Sequence, residues 1–94
     1  WLENLGFCEL GEGWKVTDRD ATAIDGEMHF NMSGGVLSSN PIGASGMIRF
    51  GEAALQVMGQ AQDHQVENAK VAMGHAYGGA AQFFAMWIVS SSLD

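Results

Sequence analysis

Between Asn31 and Gly46 the chain reads Asn-Met-Ser-Gly-Gly-Val-Leu-Ser-Ser-Asn-Pro-Ile-Gly-Ala-Ser-Gly, with four glycines and one proline. Residues without a Cβ, or with a fixed φ, suit backbone that turns sharply and passes close to a ligand or to a second backbone. What flanks the stretch constrains the fold further. Glu27 to Met32 alternates apolar and polar residues and predicts a short strand. After the stretch, Met47, Phe50, Ala54, Val57 and Met58 recur at three- and four-residue steps, which predicts an amphipathic helix from about Ser45 to Gln60 that ends at Gly59.

The remaining segments are shorter. Leu2 to Phe7 reads as the end of a helix stopped at Gly6, and Cys8 to Asp25 as an acidic excursion in which Val16 and Ile24 are too sparse to define strands. Gln60 to Glu67 is polar and reads as a turn or short helix. Asn68 to His75 and Ala81 to Ser90 are candidate strands joined by a glycine turn over Ala76 to Ala80, which makes an antiparallel hairpin. Ala80 to Val89 is apolar enough to predict a buried strand, with Phe83, Phe84, Met86, Trp87 and Ile88 in the core. The expected class is α/β: residues 1–94 as a single domain, a small mixed sheet with a helix packed on one face and a C-terminal antiparallel strand pair.

Charge narrows the partners. Eleven Asp and Glu stand against four Lys and Arg, a formal net charge of −7, with no basic cluster to neutralise phosphates. Nucleic acid and anionic membrane surfaces are therefore not expected partners. With Lys15, Arg19, Arg49 and Lys70 as the only cations, contacts to a phosphorylated ligand are expected to come largely from elsewhere. One cysteine excludes an internal disulfide, and no run of spanning length or leader pattern is visible, so a cytoplasmic location is expected. A chain of 94 residues that opens on Trp1 reads as a fragment completed by other chains or by copies of itself.

Three blocks carry a family resemblance. The loop, written N-x-S-G-G-x-L-S-x-x-P-x-G-A-S-G, resembles the G-H-P-x-G-A-T/S-G block of the thiolase superfamily. Leu5 to Gly13 resembles the segment preceding that block in sterol-carrier-type thiolases, and Ala72 to Ala80 resembles their closing H-N-x-G-x-G-G-A block. The resemblance implies the C-terminal part of a thiolase-like domain acting on acyl-CoA thioesters in acyl transfer and carbon–carbon bond chemistry. It implies acyl-CoA as substrate with no separate cofactor, a lipid or acyl ligand as the alternative, and a homo-oligomer or a complementing thiolase half as partner.

The same resemblance assigns residues. The loop histidine of the family assists a nucleophilic cysteine and helps hold the thioester oxygen; Asn40 stands in its place here. An amide is no general base near neutrality, yet it is able to donate a hydrogen bond to an oxyanion. A turn residue chosen to precede Pro41 remains the other reading of Asn40. Ala76 occupies the position of an acid/base cysteine of other thiolases, and His75 matches the histidine of the closing block. Tyr77 is the only tyrosine; either it packs, or its phenol serves as acid/base in a retro-aldol step like that of thiolase-like proteins of steroid side-chain breakdown. Gly34, Gly35, Pro41, Gly43, Gly46, Gly78 and Gly79 are the expected substrate-binding positions, and the two blocks are expected to line one cleft.

Other candidates read as bland. Cys8 lies outside any C-x-S context and has no cationic neighbour, so it reads as an idle thiol, and the nucleophile is expected in the absent half. His29 and His64 lack ligand spacing, no metal site is expected, and Glu52 reads as solvated. Three readings follow: part of a thiolase-like enzyme inactive as an isolated chain, a non-catalytic acyl- or protein-binding module, and a structural fragment that dimerises through strand edges.

Overall fold

The computed structural model describes residues 1–93, and these divide into two compact units, Trp1–Phe30 and the residues from Asn31 onward. In the first unit the expected helix end is present as a hydrogen-bonded turn. The Phe7 N–H donates to Leu2 O at 2.9 Å and the Gly6 N–H to Glu3 O at 3.0 Å, with Gly6 at φ 80°. This nested pair around a left-handed glycine is the Schellman stop.

Where the sequence shows only an acidic excursion, a short helix α1 forms over Gly13–Asp18, with Val16 buried at 2% exposure. Its first N–H, on Gly13, donates to Glu3 Oε1 at 2.8 Å, which gives an otherwise orphan donor a partner. The Gly11 and Gly13 N–H groups hold the Glu3 carboxyl below the usual carboxylate range. Val16 and Ala21 are buried, and Phe7 meets Phe30 edge to face at 5.6 Å.

The strand expected over Glu27–Met32 does not form. Met28 N–H donates to Ala21 O at 2.8 Å and Phe30 N–H to Thr22 O at 3.2 Å, but the chain then enters the left-handed region at Asn31, φ 53°. Extended backbone cannot pass through that conformation, so no ladder propagates. The expected mixed sheet is accordingly, among the described residues, a single antiparallel pair.

The second unit holds a one-turn helix α2 (Gly35–Ser38), a 3₁₀ turn at Ile42–Ala44, the helix α3 (Ser45–Met58), a second 3₁₀ turn at Gln62–His64, and strands β1 (Val71–Gly78) and β2 (Phe83–Ser90). Helix α3 matches the apolar stripe read from the sequence. It stops at Gly59, φ 70°, with Gly59 N–H bonded to Gln56 O at 3.2 Å and Gln60 N–H to Leu55 O at 2.9 Å. The chain then folds back along the last turns of α3. Gln56 Nε2 donates to His64 O at 2.7 Å, Val66 N–H donates to Gln56 Oε1 at 2.9 Å, and His64 Nε2 lies 2.9 Å from Glu52 Oε2. Glu52 is thus paired rather than simply solvated, and His64 has a partner, because the reversal after Gly59 brings together residues twelve apart.

Strands β1 and β2 pair antiparallel with Val71 opposite Ser90 and Gly78 opposite Phe83. The hairpin is the expected one, but the reversal comes later. His75, Ala76 and Tyr77 lie within β1, and the turn is made by Gly79, Ala80 and Ala81, all at positive φ, closed by Gln82 N–H to Gly78 O at 3.1 Å. Alternation sorts the pairs onto two faces. Ala72, Gly74 and Ala76 share one face with their partners Val89, Trp87 and Ala85, and this face meets α3: the Trp87 indole covers Gly74 and packs against Phe50 with ring centroids 5.9 Å apart. Val71, Met73, His75 and Tyr77 share the other face with Ile88, Met86 and Phe84. The strand expected over Ala81–Ser90 forms, but it is not buried: α3 covers one face only, and on the other Phe84 and Ile88 remain 53% and 71% exposed.

Candidate functional site

The glycine-rich stretch folds as two tight turns leading into α3. Gly34, at φ 88°, caps α2, and a Cβ there would lie 2.6 Å from the Ser38 Cβ, so the turn requires glycine twice over. Gly35 opens α2, Pro41 precedes the 3₁₀ turn and Gly43 lies within it. Ile42 adopts φ 47°. For a β-branched residue this is a strained conformation, costing on the order of 1–3 kcal/mol, and such strain gathers at functional loops.

The strained residue lies between two that bond. Ser45 Oγ donates to Asn40 Oδ1 at 2.7 Å, and Ser45 is 7% exposed whereas Asn40 is exposed. Asn40 is thereby held just ahead of the α3 N-terminus. The first turn of α3 carries no acidic side chain, so the positive end of the helix dipole is left unopposed by its own residues.

The same end of α3 reaches β1. A Cβ on Gly46 would lie 3.1 Å from the Ala76 Cβ, so the two small residues allow close approach of helix and strand. Arg49 Nη1 donates to His75 O at 3.3 Å. The loop block and the closing block therefore adjoin through Gly46 with Ala76 and Arg49 with His75. The side chains of His75 and Tyr77 leave β1 on the face opposite Ala76, where His75 stacks with Tyr77 at 6.0 Å and with Phe84 at 5.9 Å between centroids. Gly78 ends β1 and Gly79 begins the turn. The structure thus brings Asn40 to Ser45, and His75 to Tyr77, as two separate side-chain groups on either side of one strand.

Two contributors escaped the sequence reading. Ser45 is the serine of the G-A-S-G run, five residues after Asn40, and Arg49 lies one turn further along α3. Among the described residues no cluster of three His, Cys, Asp or Glu is placed to hold a metal ion. A shallow recess bounded by Gln56 to Gly59 and Gln65 to Lys70 lies at the other end of α3 and takes no part in the site.

With this geometry in view, comparison with known proteins is decisive. The profile of the thiolase C-terminal domain-like family matches residues 1–91. The chain belongs to this family. An acetyl-CoA acetyltransferase of Methanothermobacter thermautotrophicus is 39% identical over 90 residues, covering 95% of this chain and 24% of that protein. Sterol carrier protein 2 of Rattus norvegicus is 40% identical over 82 residues, 84% of this chain and 15% of that protein. A benzoylsuccinyl-CoA thiolase subunit of Thauera aromatica is 39% identical over 85 residues, 87% of this chain and 22% of that protein. The chain thus spans about a quarter or less of the length of these relatives. No helix among the described residues is long and apolar enough to cross a membrane.

Proposed function

We propose that this chain supplies the oxyanion-holding part of a thiolase-like acyl-CoA site and works with a complementing thiolase half that brings the nucleophile. The observation that carries the reading is Asn40, standing where the family places its loop histidine and held at the start of α3 by the hydroxyl of Ser45. In thiolysis or condensation the thioester carbonyl oxygen gathers negative charge as its carbon is attacked. A fixed amide N–H aimed at that oxygen, beside the positive end of a helix dipole, lowers the barrier without taking a proton. Asn40 has no proton-accepting chemistry near neutrality, so the base that activates the nucleophile lies in the complementing half. Acyl-CoA is the substrate in this reading, and the single half-buried thiol, Cys8, suits a reducing, cytoplasmic setting.

The retro-aldol alternative needs the Tyr77 phenol in the same pocket as Asn40. Tyr77 leaves β1 on the face away from α3, which favours the thiolase reading. The exposed apolar face of the hairpin favours one further reading, an acyl- or protein-binding module without catalysis. Thiolysis of acetoacetyl-CoA separates these. The isolated chain is expected to match the no-enzyme control, and the protein in its full natural length to turn over. A rate from the isolated chain that Cys8→Ala abolishes would overturn the proposal, and acyl-CoA binding without turnover in the full-length protein would favour the binding module.

A further inference from the structure

Asparagine presents two ends of nearly identical shape and opposite chemistry. Its Nδ2 donates and its Oδ1 accepts, and a half-turn of the amide exchanges them. An oxyanion is stabilised by the first and repelled by the second. If Asn40 holds an oxyanion, as proposed above and on which this inference rests, something must fix which end faces the substrate.

The structure supplies such a group. Ser45 Oγ donates to Asn40 Oδ1 at 2.7 Å, and Ser45 is almost wholly buried, so the carbonyl end of the amide is engaged from inside the loop. The hydroxyl makes no side-chain cap at the start of α3, where Ala44 is the N-cap residue. Its hydrogen bond serves the amide rather than the helix. The positive φ of Ile42 lies within the six residues that carry the chain from Asn40 to Ser45, so the backbone adopts a costly conformation where the two side chains meet.

We propose that Ser45 is a positioning residue: by occupying Asn40 Oδ1 it turns Asn40 Nδ2 outward as the donor offered to a thioester oxyanion. Ser45 touches no substrate and acts only through Asn40. Losing one such neutral hydrogen bond lets the amide spend time reversed, and the cost in turnover is about threefold to tenfold, smaller than loss of the donor itself at about a hundredfold.

The test is a double-variant cycle in the protein at its full natural length, with acetoacetyl-CoA thiolysis and the Asn40 side-chain amide NMR signals as readouts. Ser45→Ala is expected to lower kcat about threefold to tenfold with KM held within about twofold, and to shift the Asn40 Nδ2 proton signals. Ser45→Thr keeps the hydroxyl and is expected to recover most of the turnover and the parent amide signals. In an Asn40→Ala background, Ser45→Ala is expected to cost nothing more in kcat. An unchanged kcat for Ser45→Ala where Asn40→Ala is impaired, or additive losses, would overturn the positioning role while leaving the oxyanion role standing. An unchanged kcat for Asn40→Ala would overturn the oxyanion role, and with it the inference. If Ser45→Ala does not fold, Ser45→Cys replaces it, and unmoved Asn40 amide signals in that variant overturn the hydrogen bond itself.

Discussion

Replacing Gly74 by alanine sets two physical expectations against each other. Glycine inside a strand loses more conformational freedom on folding than alanine does, so propensity alone makes Gly74→Ala stabilising by about 0.5–1 kcal/mol. The packing points the other way. Gly74 faces Trp87 across the hairpin, and a Cβ built on it would fall inside the envelope of the indole ring. A retreat of the ring would disturb its edge-to-face contact with Phe50 of α3, at 5.9 Å between centroids. Overpacking of this kind costs about 1–3 kcal/mol, and a disturbed aromatic pair adds about 0.5–1.5 kcal/mol. Packing therefore exceeds propensity, for a net loss of about 1–3 kcal/mol. In a domain of this size that lowers the melting temperature by roughly 5–20 °C. Thermal unfolding followed by tryptophan fluorescence and near-ultraviolet circular dichroism measures it. In a Trp87→Leu background the same substitution is expected to cost much less, since the obstructing ring is gone. A melting temperature that rises in Gly74→Ala would refute the packing of helix on hairpin described above.

Glu3 and the exposed hairpin face give further expectations. The folded-state pKa of Glu3 lies below its ordinary value of 4.5, so its contribution to stability is full above that pH and is lost as the pH falls through the lowered value. Glu3→Gln should remove this part of the acid transition, and identical acid limbs in the two proteins would contradict it. The apolar face carrying Met73, Tyr77, Phe84, Met86 and Ile88 should drive self-association of the isolated chain, which Met86→Thr with Ile88→Thr weakens. Sedimentation showing the unaltered chain as a stable monomer at high concentration would be the contrary result.

Much of this architecture is legible in the sequence, for identifiable reasons. Helix α3 has a long apolar stripe and a glycine stop, two signals that agree, and the structure follows them to within two residues. The hairpin is legible in kind but not in register. The glycine turn is expected over Ala76 to Ala80, whereas the reversal runs through Gly79, Ala80 and Ala81 at positive φ, a conformation alanine does not advertise. The false strand before the loop fails on one residue, Asn31, whose left-handed backbone no alternation pattern reveals. Helix α1 was invisible because Val16 alone supplies its buried face. Asn40 stands out in the sequence only by its block, and its bond to Ser45, like the pairing of Glu52 with His64 along the last turns of α3, depends on chain reversals that only coordinates show.

The oxyanion role rests on Asn40 acting as a donor, and Asn40→Asp tests it with almost no change of shape. The aspartate keeps an oxygen for Ser45 Oγ and replaces the outward Nδ2 by a second, negatively charged acceptor. In the protein at its full natural length, kcat for acetoacetyl-CoA thiolysis is expected to fall by at least about a hundredfold, with KM within about twofold, because the lost interaction belongs to the transition state. Turnover that survives Asn40→Asp undiminished would contradict that role.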